Sequence, residues 1–389
     1  MAKALVFGGG NIGRGFLGVL LSQSGYQVTF VDVDRRRVDL LNQHRGYPVF
    51  VCAETGITEE VVSGIQAMHV EDEERLVDAV CEADVIMTAV GKLALQSVAK
   101  PIALGLVERA RRRPRDQAHI VVIACENVRD NTAYLAEFIW QAIDPDLRSR
   151  VRDLVSFPNC IVDRIVPNAS SQSDHPLATV VEDYFQFVID GSQLQAEFPA
   201  ISGVEISSNV SARLDQKLFT LNMAHGIVGY YGLLRGYQYV HEAILDHEIQ
   251  ELVTGALEEV EEVVVATHPG ISRLEQGTYA SKIVDRFRNS HLQDRLSRVA
   301  SQPRRKLGAN ERLVRPACIL SDAGRAPVYL ATGIAAGFHF QDAGDAQARE
   351  LTLAIAERGV APVMAEVSGL APEHPVARAV KADFLLRAL

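Results

Sequence analysis

The chain has 389 residues and a formal net charge of −10, and 48% of its residues are hydrophobic. One hydrophobic core rarely covers that length, so we expect two domains. The basic residues are scattered among acidic ones, which disfavours nucleic acid or an anionic membrane as a partner. No apolar stretch reaches the roughly 18 residues of a membrane span and no signal segment begins the chain, so a cytoplasmic location is predicted.

Short β-branched runs alternate with helical patterns through the first half of the chain. This alternation predicts an α/β fold with a doubly wound, Rossmann-type parallel sheet. Extra apolar runs between residues 47 and 70 predict a small antiparallel excursion. The predicted strands cover residues 4–7, 28–31, 85–89, 120–124, 155–157 and 180–189.

The second half of the chain has apolar residues at helical spacing. We therefore predict a Rossmann-type domain over residues 1–195 and a mainly α-helical domain over residues 196–389. No flexible linker is visible, so close packing is expected, with an interdomain cleft as the site for a small molecule. The predicted helices of the second domain include residues 218–234, 239–266, 346–358 and 375–386.

The sequence GGGNIGRG follows the first predicted strand directly. Gly8, Gly10 and Gly13 match G-x-G-x-x-G, in which glycine permits the sharp turn, the approach of a pyrophosphate and close helix packing. A purely structural turn is the alternative, and for Asn11 and Arg14 the alternative is an exposed helix surface. The residues predicted here to bind a cofactor are Phe7, Gly8, Gly9, Gly10, Asn11, Ile12, Gly13 and Arg14.

Asp32 ends the second predicted strand about twenty residues after Gly13, at the offset where a carboxylate takes the ribose hydroxyls. The carboxylate would repel a 2′-phosphate, so NAD is predicted rather than NADP. The arginines at 35–37 support the opposite choice, since arginine accommodates that phosphate. Ala89 and Val90 are predicted on the nicotinamide side, with a plain turn between strand and helix as the alternative.

A second motif, KLFTLNMAH, contains Lys217, Asn222 and His225. On an α-helix these side chains span an arc of roughly 140°, so they can address one cavity. Asp215 is a predicted N-cap, which with an apolar setting would disfavour the ammonium form of Lys217. A solvated lysine and satisfied core polar groups are the alternatives.

Alcohol oxidation needs a proton acceptor, and the sequence offers neither Tyr-x-x-x-Lys nor a zinc pattern, so Lys217 is the predicted general base. The five cysteines are widely spaced and no HExxH is present, so no metal is predicted.

Several motifs together resemble the polyol-specific long-chain dehydrogenases, and the resemblance covers essentially the whole chain. It implies metal-independent hydride transfer, in which Lys217 moves the proton and Asn127 and Asn222 hold the substrate oxygen. The motifs are GGGNIGRG at 8–15, CEN at 125–127, VDRIVP at 162–167, KLFTLNMAH at 217–225 and RFRNSHLQDRLSRVASQPRRKL at 286–307.

The resemblance assigns two supporting residues. His225 would bind and orient the polyol, and Asp163 would support proton transfer. A salt bridge to Arg164 is the alternative for Asp163.

The chain length and the PRRKL tract are similar to those found in the phosphate-specific branch of the family. This implies interconversion of D-mannitol 1-phosphate and D-fructose 6-phosphate, with Arg286, Arg305 and Lys306 supplying positive charge for the phosphate. For Arg304 and Arg305 a surface charge run is the alternative. The local loop departs from the family, since Ser290-His291 stands where Asn-Pro and an aromatic residue are more usual.

Two other functions stay open: a dehydrogenase or reductase of an unphosphorylated hexitol or hexuronate, and a non-catalytic NAD(H)-sensing protein. We expect a monomer or weak oligomer.

Overall fold

A computed structural model describes residues 1–114, 118–167 and 173–387. The contacts divide the chain into two compact units, Met1–Val210 and Ser211–Leu389. The division lies after the boundary predicted at residue 195, because strand Val204–Ser207 pairs with strand Gln186–Asp190 of the first unit.

Unit 1 is built on a six-stranded parallel sheet of order β5-β2-β1-β6-β7-β8. The chain moves outward from β1 through β2 to β5 and then returns to β6 on the other side of β1. This arrangement confirms the predicted α/β fold class. The strands of this sheet are β1 Lys3–Phe7, β2 Gln27–Asp32, β5 Gln66–His69, β6 Val85–Thr88, β7 Ile120–Ala124 and β8 Val155–Ser156.

Side chains of the central strands alternate between two apolar cores. In β1, Ala4 and Val6 join one buried cluster, whereas Leu5 and Phe7 join the other. Strands buried on both faces need apolar residues at every position, which explains the unbroken ALVF run.

Two small sheets complete the strands of unit 1. The predicted antiparallel excursion is a hairpin in which Gly46 pairs with Ser63. The single strand predicted over 180–189 is wrong: two strands lie there, and they belong to different sheets because the chain breaks pairing between them. The strands are β3 Gly46–Ala53, β4 Gly56–Ser63, β9 Cys160–Asp163, β10 Thr179–Glu182, β11 Gln186–Asp190 and β12 Val204–Ser207.

Helices of unit 1 follow the strands of the large sheet. The first of them contains a π-helical stretch, Gly13–Gly18, ahead of its α-helical part. The α-helices are α1 Val19–Gln23, α2 Arg35–His44, α3 Glu73–Glu82, α4 Leu95–Arg112, α5 Asn131–Ala142 and α6 Pro145–Arg152.

Unit 2 begins within helix α7, Val210–Lys217, and the rest of its described residues are mainly helical. The continuous helix predicted over 239–266 is wrong, because Asp246 accepts hydrogen bonds from the Glu248 and Ile249 N–H groups and caps a new helix. The other helices are α8 Met223–Leu234, α9 Val240–Ala243, α10 His247–Thr267, α11 Arg273–Arg288, α12 Leu296–Ala300, α13 Pro303–Lys306, α14 Val314–Asp322, α15 Val328–Phe338, α16 Ala346–Arg358, α17 Val360–Ser368 and α18 Pro375–Arg387.

Across the described ranges, none of the helices combines the length and apolar character that a membrane span requires.

A buried arginine ties α4 to the ends of its neighbours. Arg109 is 1% exposed, and burial lowers its pKa to about 10. Its guanidinium donates to the carbonyl oxygens of Cys81, Ala83, Ala118 and His119 at 2.6–3.1 Å. Cys81 and Ala83 lie at the C-terminal end of α3, and Ala118 and His119 lie just before β7, so one buried side chain satisfies backbone acceptors at both places.

Replacing Arg109 by methionine should lower the free energy of unfolding by about 2–4 kcal/mol, because four carbonyl oxygens lose their donor. Urea unfolding followed by circular dichroism measures the change. The matched control is Arg111→Met on the same helix, where an exposed ion pair to Glu108 predicts less than about 1 kcal/mol. Equal losses in the two variants would contradict the assignment.

Candidate active site

The glycine turn after β1 is too tight for side chains. Gly8 has φ +95°, and a Cβ there would lie 2.5 Å from the Ala89 oxygen. At Gly13 a Cβ would lie 1.9 Å from the Gly8 oxygen, whereas a Cβ at Gly10 would point into open space. The turn therefore holds strand and helix together while leaving the Gly10 backbone open to a ligand, where the first N–H groups of a helix attract anions.

Asp32 lies at the carboxyl end of β2 with both oxygens engaged. Oδ2 accepts the Gly9 N–H at 2.7 Å and Oδ1 accepts the Asp34 N–H at 2.9 Å. Arg37 Nη1 donates to both oxygens at 2.8 and 2.9 Å, and Arg37 Nη2 lies 3.3 Å from Asp34. The Asp32 carboxylate is thus fixed at the end of β2, and a 2′-phosphate placed against it would be repelled.

Arg14 is buried within the turn and not on the helix surface. Its guanidinium donates to the carbonyl oxygen of Gly9, to that of Leu177 at 3.2 Å and to Asn11 Oδ1 at 3.5 Å. Burial lowers the pKa of Arg14. The side chain stiffens the glycine turn, and a contact to pyrophosphate stays a prediction.

The loops after β6 and β7 meet at one buried carboxylate. Glu126 Oε2 accepts the Thr88 hydroxyl at 2.7 Å and Oε1 accepts the Val90 N–H at 2.9 Å. Burial raises the pKa of Glu126, and these donors partly oppose that rise. Val90 is half-buried beside it and Asn127, the next residue, is exposed.

The other predicted residue of unit 1, Asp163, lies in a different sheet. It ends β9 opposite Gln186 of β11 and is buried. The neighbouring Arg164 guanidinium donates to the carbonyl oxygens of Glu182 and Gly15 at 2.9 and 3.2 Å.

In unit 2 the predicted start of the Lys217 helix is wrong. Helix α7 begins at Val210, so Asp215 is not an N-cap and Lys217 lies far from the positive helix end. Asp215 instead lies 3.1 Å from His268 Nε2. The expected burial is present, since Lys217 is 6% exposed.

A π-helical segment, Leu218–Asn222, joins α7 to α8. The Met223 N–H bonds to the Leu218 carbonyl, five residues back. Side chains five apart therefore lie closer together around the helix axis than the 140° separation expected in an α-helix. Lys217 and Asn222 have this spacing, and both are buried.

A chain of buried amides runs alongside this segment. Gln216 Nε2 donates to Gln276 Oε1 at 3.1 Å, and Gln276 Nε2 donates to Thr220 Oγ1 at 2.9 Å. Thr220 belongs to the π-helical segment and Gln276 to α11, so helix α11 fixes the segment on both sides of Lys217.

His225 is enclosed by acidic and aromatic neighbours. Its Nε2 lies 3.2 Å from Asp294 Oδ2, and its ring stacks on Phe287 with centroids 4.7 Å apart. Burial lowers the pKa of His225 and Asp294 only partly opposes this, so the imidazole is neutral near pH 7. Burial raises the pKa of Asp294, but Arg298 and His225 outweigh it and hold that pKa well below its usual range.

Positive charge accumulates near His225. The Lys306 ammonium donates to the Val299 carbonyl oxygen, and burial lowers its pKa well below the usual range, with Arg312, Arg305 and Arg298 adding to the shift. Arg305 lies 3.4 Å from Glu311, and Arg286 is half-buried in the last turn of α11. Arg304 instead pairs with Glu366.

Several residues beside the predicted ones escaped the sequence reasoning. Asp294 and Arg298 lie inside the motif at 286–307. Their opposite charges are four residues apart, a spacing that could have predicted an ion pair. Glu126 adjoins Asn127 in the CEN motif. Nothing in the sequence indicated Gln276 or Phe287, because contacts between distant segments create their positions.

A nucleotide-type turn in one unit and a buried lysine–asparagine–histidine face in the other are typical of dehydrogenases. The family model for the mannitol dehydrogenase Rossmann domain matches residues 2–203, and that for the mannitol dehydrogenase C-terminal domain matches residues 209–383. The chain therefore belongs to the mannitol dehydrogenase family, a family of NAD-dependent oxidoreductases.

Solved structures share this fold at low identity. Pseudomonas fluorescens mannitol 2-dehydrogenase, in a ternary complex with NAD and D-mannitol, has a TM-score of 0.78 at 18% identity over 98% of this chain and 91% of that one. A substrate-free D-sorbitol dehydrogenase has 0.76 at 20% identity, covering 99% and 92%.

Replacing Asp294 by asparagine should lower the free energy of unfolding at pH 7 by about 1–3 kcal/mol, since Arg298 and His225 lose their buried partner. A carboxyl whose folded pKa is depressed stabilises the fold above its unfolded pKa of about 3.9, and that stability is lost at lower pH. The difference between variant and wild type should therefore shrink below about pH 4.

Urea unfolding at pH 7, 5 and 3 measures this difference. Asp285→Asn is the control, since Asp285 is exposed and lies 3.6 Å from Arg288. A difference that is the same at every pH would contradict the electrostatic account.

Proposed function

We propose that this protein is an NAD-dependent hexitol dehydrogenase whose preferred substrate pair is D-mannitol 1-phosphate and D-fructose 6-phosphate. Unit 1 supplies the cofactor residues. The open Gly10 backbone suits the pyrophosphate, and the Asp32 carboxylate at the end of β2 suits unmodified ribose hydroxyls. Ala89 and Val90 follow β6, across the switch point from Asp32, and would border the nicotinamide.

Proton transfer is assigned to Lys217. As the carbinol carbon is oxidised, its hydroxyl proton passes to the Lys217 amine and the carbon releases a hydride. NAD⁺, when bound, would supply the acceptor for that hydride, which balances the two electrons lost by the substrate. Asn222 and Asn127 would hold the substrate oxygen as neutral donors, which stabilise a developing alkoxide without opposing the return of the proton.

Two further assignments come from the family resemblance. The neutral His225 imidazole would orient the polyol through hydrogen bonds, with Asp294 and Phe287 fixing its ring. Asp163 would support proton transfer.

The charge around His225 supports a phosphorylated substrate. Four basic side chains share this part of unit 2 with three carboxylates, so an anion would reduce the repulsion among the basic groups that are charged. The basic residues are Arg298, Arg305, Lys306 and Arg312, and the carboxylates are Asp294, Glu311 and Asp345. Arg305 is the member most exposed to solvent, at 34%.

An unphosphorylated hexitol is the second candidate substrate. The similar solved structures are named as mannitol 2-dehydrogenase and D-sorbitol dehydrogenase, and these comparisons favour this candidate over the phosphate ester. The charge cluster and the comparisons thus point to different substrates, and kinetics can separate them.

Lys217→Ala should lower kcat by at least about 10³-fold, because general acid–base catalysis is lost, while the Kd for NADH changes less than about threefold. NADH absorbance gives the rate and nucleotide fluorescence gives the Kd. Lys282→Ala, at an exposed position of α11, is the control. Loss of NADH binding together with turnover would count against the assignment.

Fructose 6-phosphate should exceed fructose and fructuronate in kcat/KM by about 100-fold or more, since charged hydrogen bonds to phosphate are strong. NADH oxidation over these three substrates measures the preference. Higher activity on fructose would establish the second candidate, and NADH binding with no turnover on any of them would support a sensing role.

A pair of variants tests where the phosphate charge lies. Arg305→Gln should raise KM for fructose 6-phosphate about tenfold and leave KM for fructose unchanged. Arg304→Gln is the control, because Arg304 pairs with Glu366 of α17.

A further inference from the structure

A buried carboxylate lies at the carboxyl edge of β6 and β7. Glu126 is 5% exposed and lies two residues after the end of β7, with its oxygens bound to Thr88 and Val90 at the end of β6. In a doubly wound sheet this edge, beyond the switch point, receives the far half of a dinucleotide. A fixed charge there acts on whatever ring is bound nearby, and burial strengthens the effect because solvent screens it less.

Backbone and hydroxyl donors face the Glu126 carboxylate and partly offset the rise in its pKa that burial causes. Val90 offers a backbone N–H, which can only donate, and Gly91 provides a second such donor. Thr88 supplies a hydroxyl. The Asn131 amide donates to the Glu126 main-chain carbonyl at 3.1 Å and to that of Cys160 at 3.0 Å, which fixes the loop itself.

We propose that the Glu126 carboxylate sets the relative affinity of this protein for NAD⁺ and NADH. The inference rests on the proposed function, since it needs the nicotinamide at the β6–β7 edge. The oxidised nicotinamide ring carries a positive charge and the reduced ring carries none, so a nearby negative charge stabilises NAD⁺ selectively. Glu126 is thus a charge-setting residue, distinct from the groups assigned to proton transfer.

The test compares the dissociation constants of both nucleotides. Glu126→Gln keeps the size of the side chain, one oxygen for the Val90 N–H and an amide that the Thr88 oxygen can accept. The ratio Kd(NAD⁺)/Kd(NADH) should rise about tenfold in this variant, which corresponds to about 1.4 kcal/mol. Calorimetry or nucleotide fluorescence measures both constants without any substrate.

Two comparisons separate charge from structure. Thr88→Val removes a donor but keeps the charge, so it should leave the ratio within about twofold even where both constants rise. Glu259→Gln is the matched control in unit 2, since Glu259 accepts the Tyr329 and Leu330 N–H groups at 3.0 and 2.9 Å and burial likewise raises its pKa. It should change neither constant.

A second neutral variant, Glu126→Ala, should reproduce the shift in the ratio of dissociation constants, so the test does not depend on a single substitution. Equal changes in both constants in the Gln and Ala variants would show that Glu126 only holds the loop, and would overturn the inference while leaving the proposed function intact. Failure of the wild type to bind either nucleotide would overturn both.

Discussion

The close approach of Gly8 and Gly13 underlies the organisation of unit 1. A Cβ at Gly13 would lie 1.9 Å from the Gly8 oxygen, so only glycine lets the chain leave β1 and enter a helix at this angle. The same turn brings the Gly9 N–H to Asp32 and the Gly9 carbonyl to Arg14. Buried charges of both signs thereby bond to the backbone of the turn and hold its shape.

In unit 2 the organising feature is a change from α-helical to π-helical geometry between α7 and α8. The π-helical segment after Lys217 widens one turn, and the amide chain through Gln276 ties that turn to α11. A π turn forms weaker internal contacts than an α turn, so it depends on packing and hydrogen bonds from outside. Here those bonds come from buried side chains whose polar atoms pair with one another, which keeps the arrangement rigid.

Sequence reasoning succeeded where the chemistry is local. The glycine turn, Asp32 and the strand–helix alternation lie within short stretches, and the fold class they predict is confirmed. It failed on the Asp215 cap, because a helix that starts at Val210 continues through a residue type that also caps helices. It also merged β10 and β11, because an apolar run does not reveal that a chain changes sheets. The family is established from the whole chain, whereas the choice between a hexitol and its phosphate depends on a few charges.

The sequence by itself determined that an α/β part is followed by a mainly helical part. It also determined the glycine turn, the Asp32 carboxylate at the end of a strand and the lysine motif, since each follows from spacing along one segment. Only the tertiary structure decided which side chains surround them: Arg37 on Asp32, Asp294 and Phe287 on His225, Gln276 beside the π turn, and Glu126 beneath the β6 loop. The physical reason is that hydrogen bonds and charge interactions act over a few ångströms, while the residues that form them are separated along the chain by intervals that no local pattern encodes.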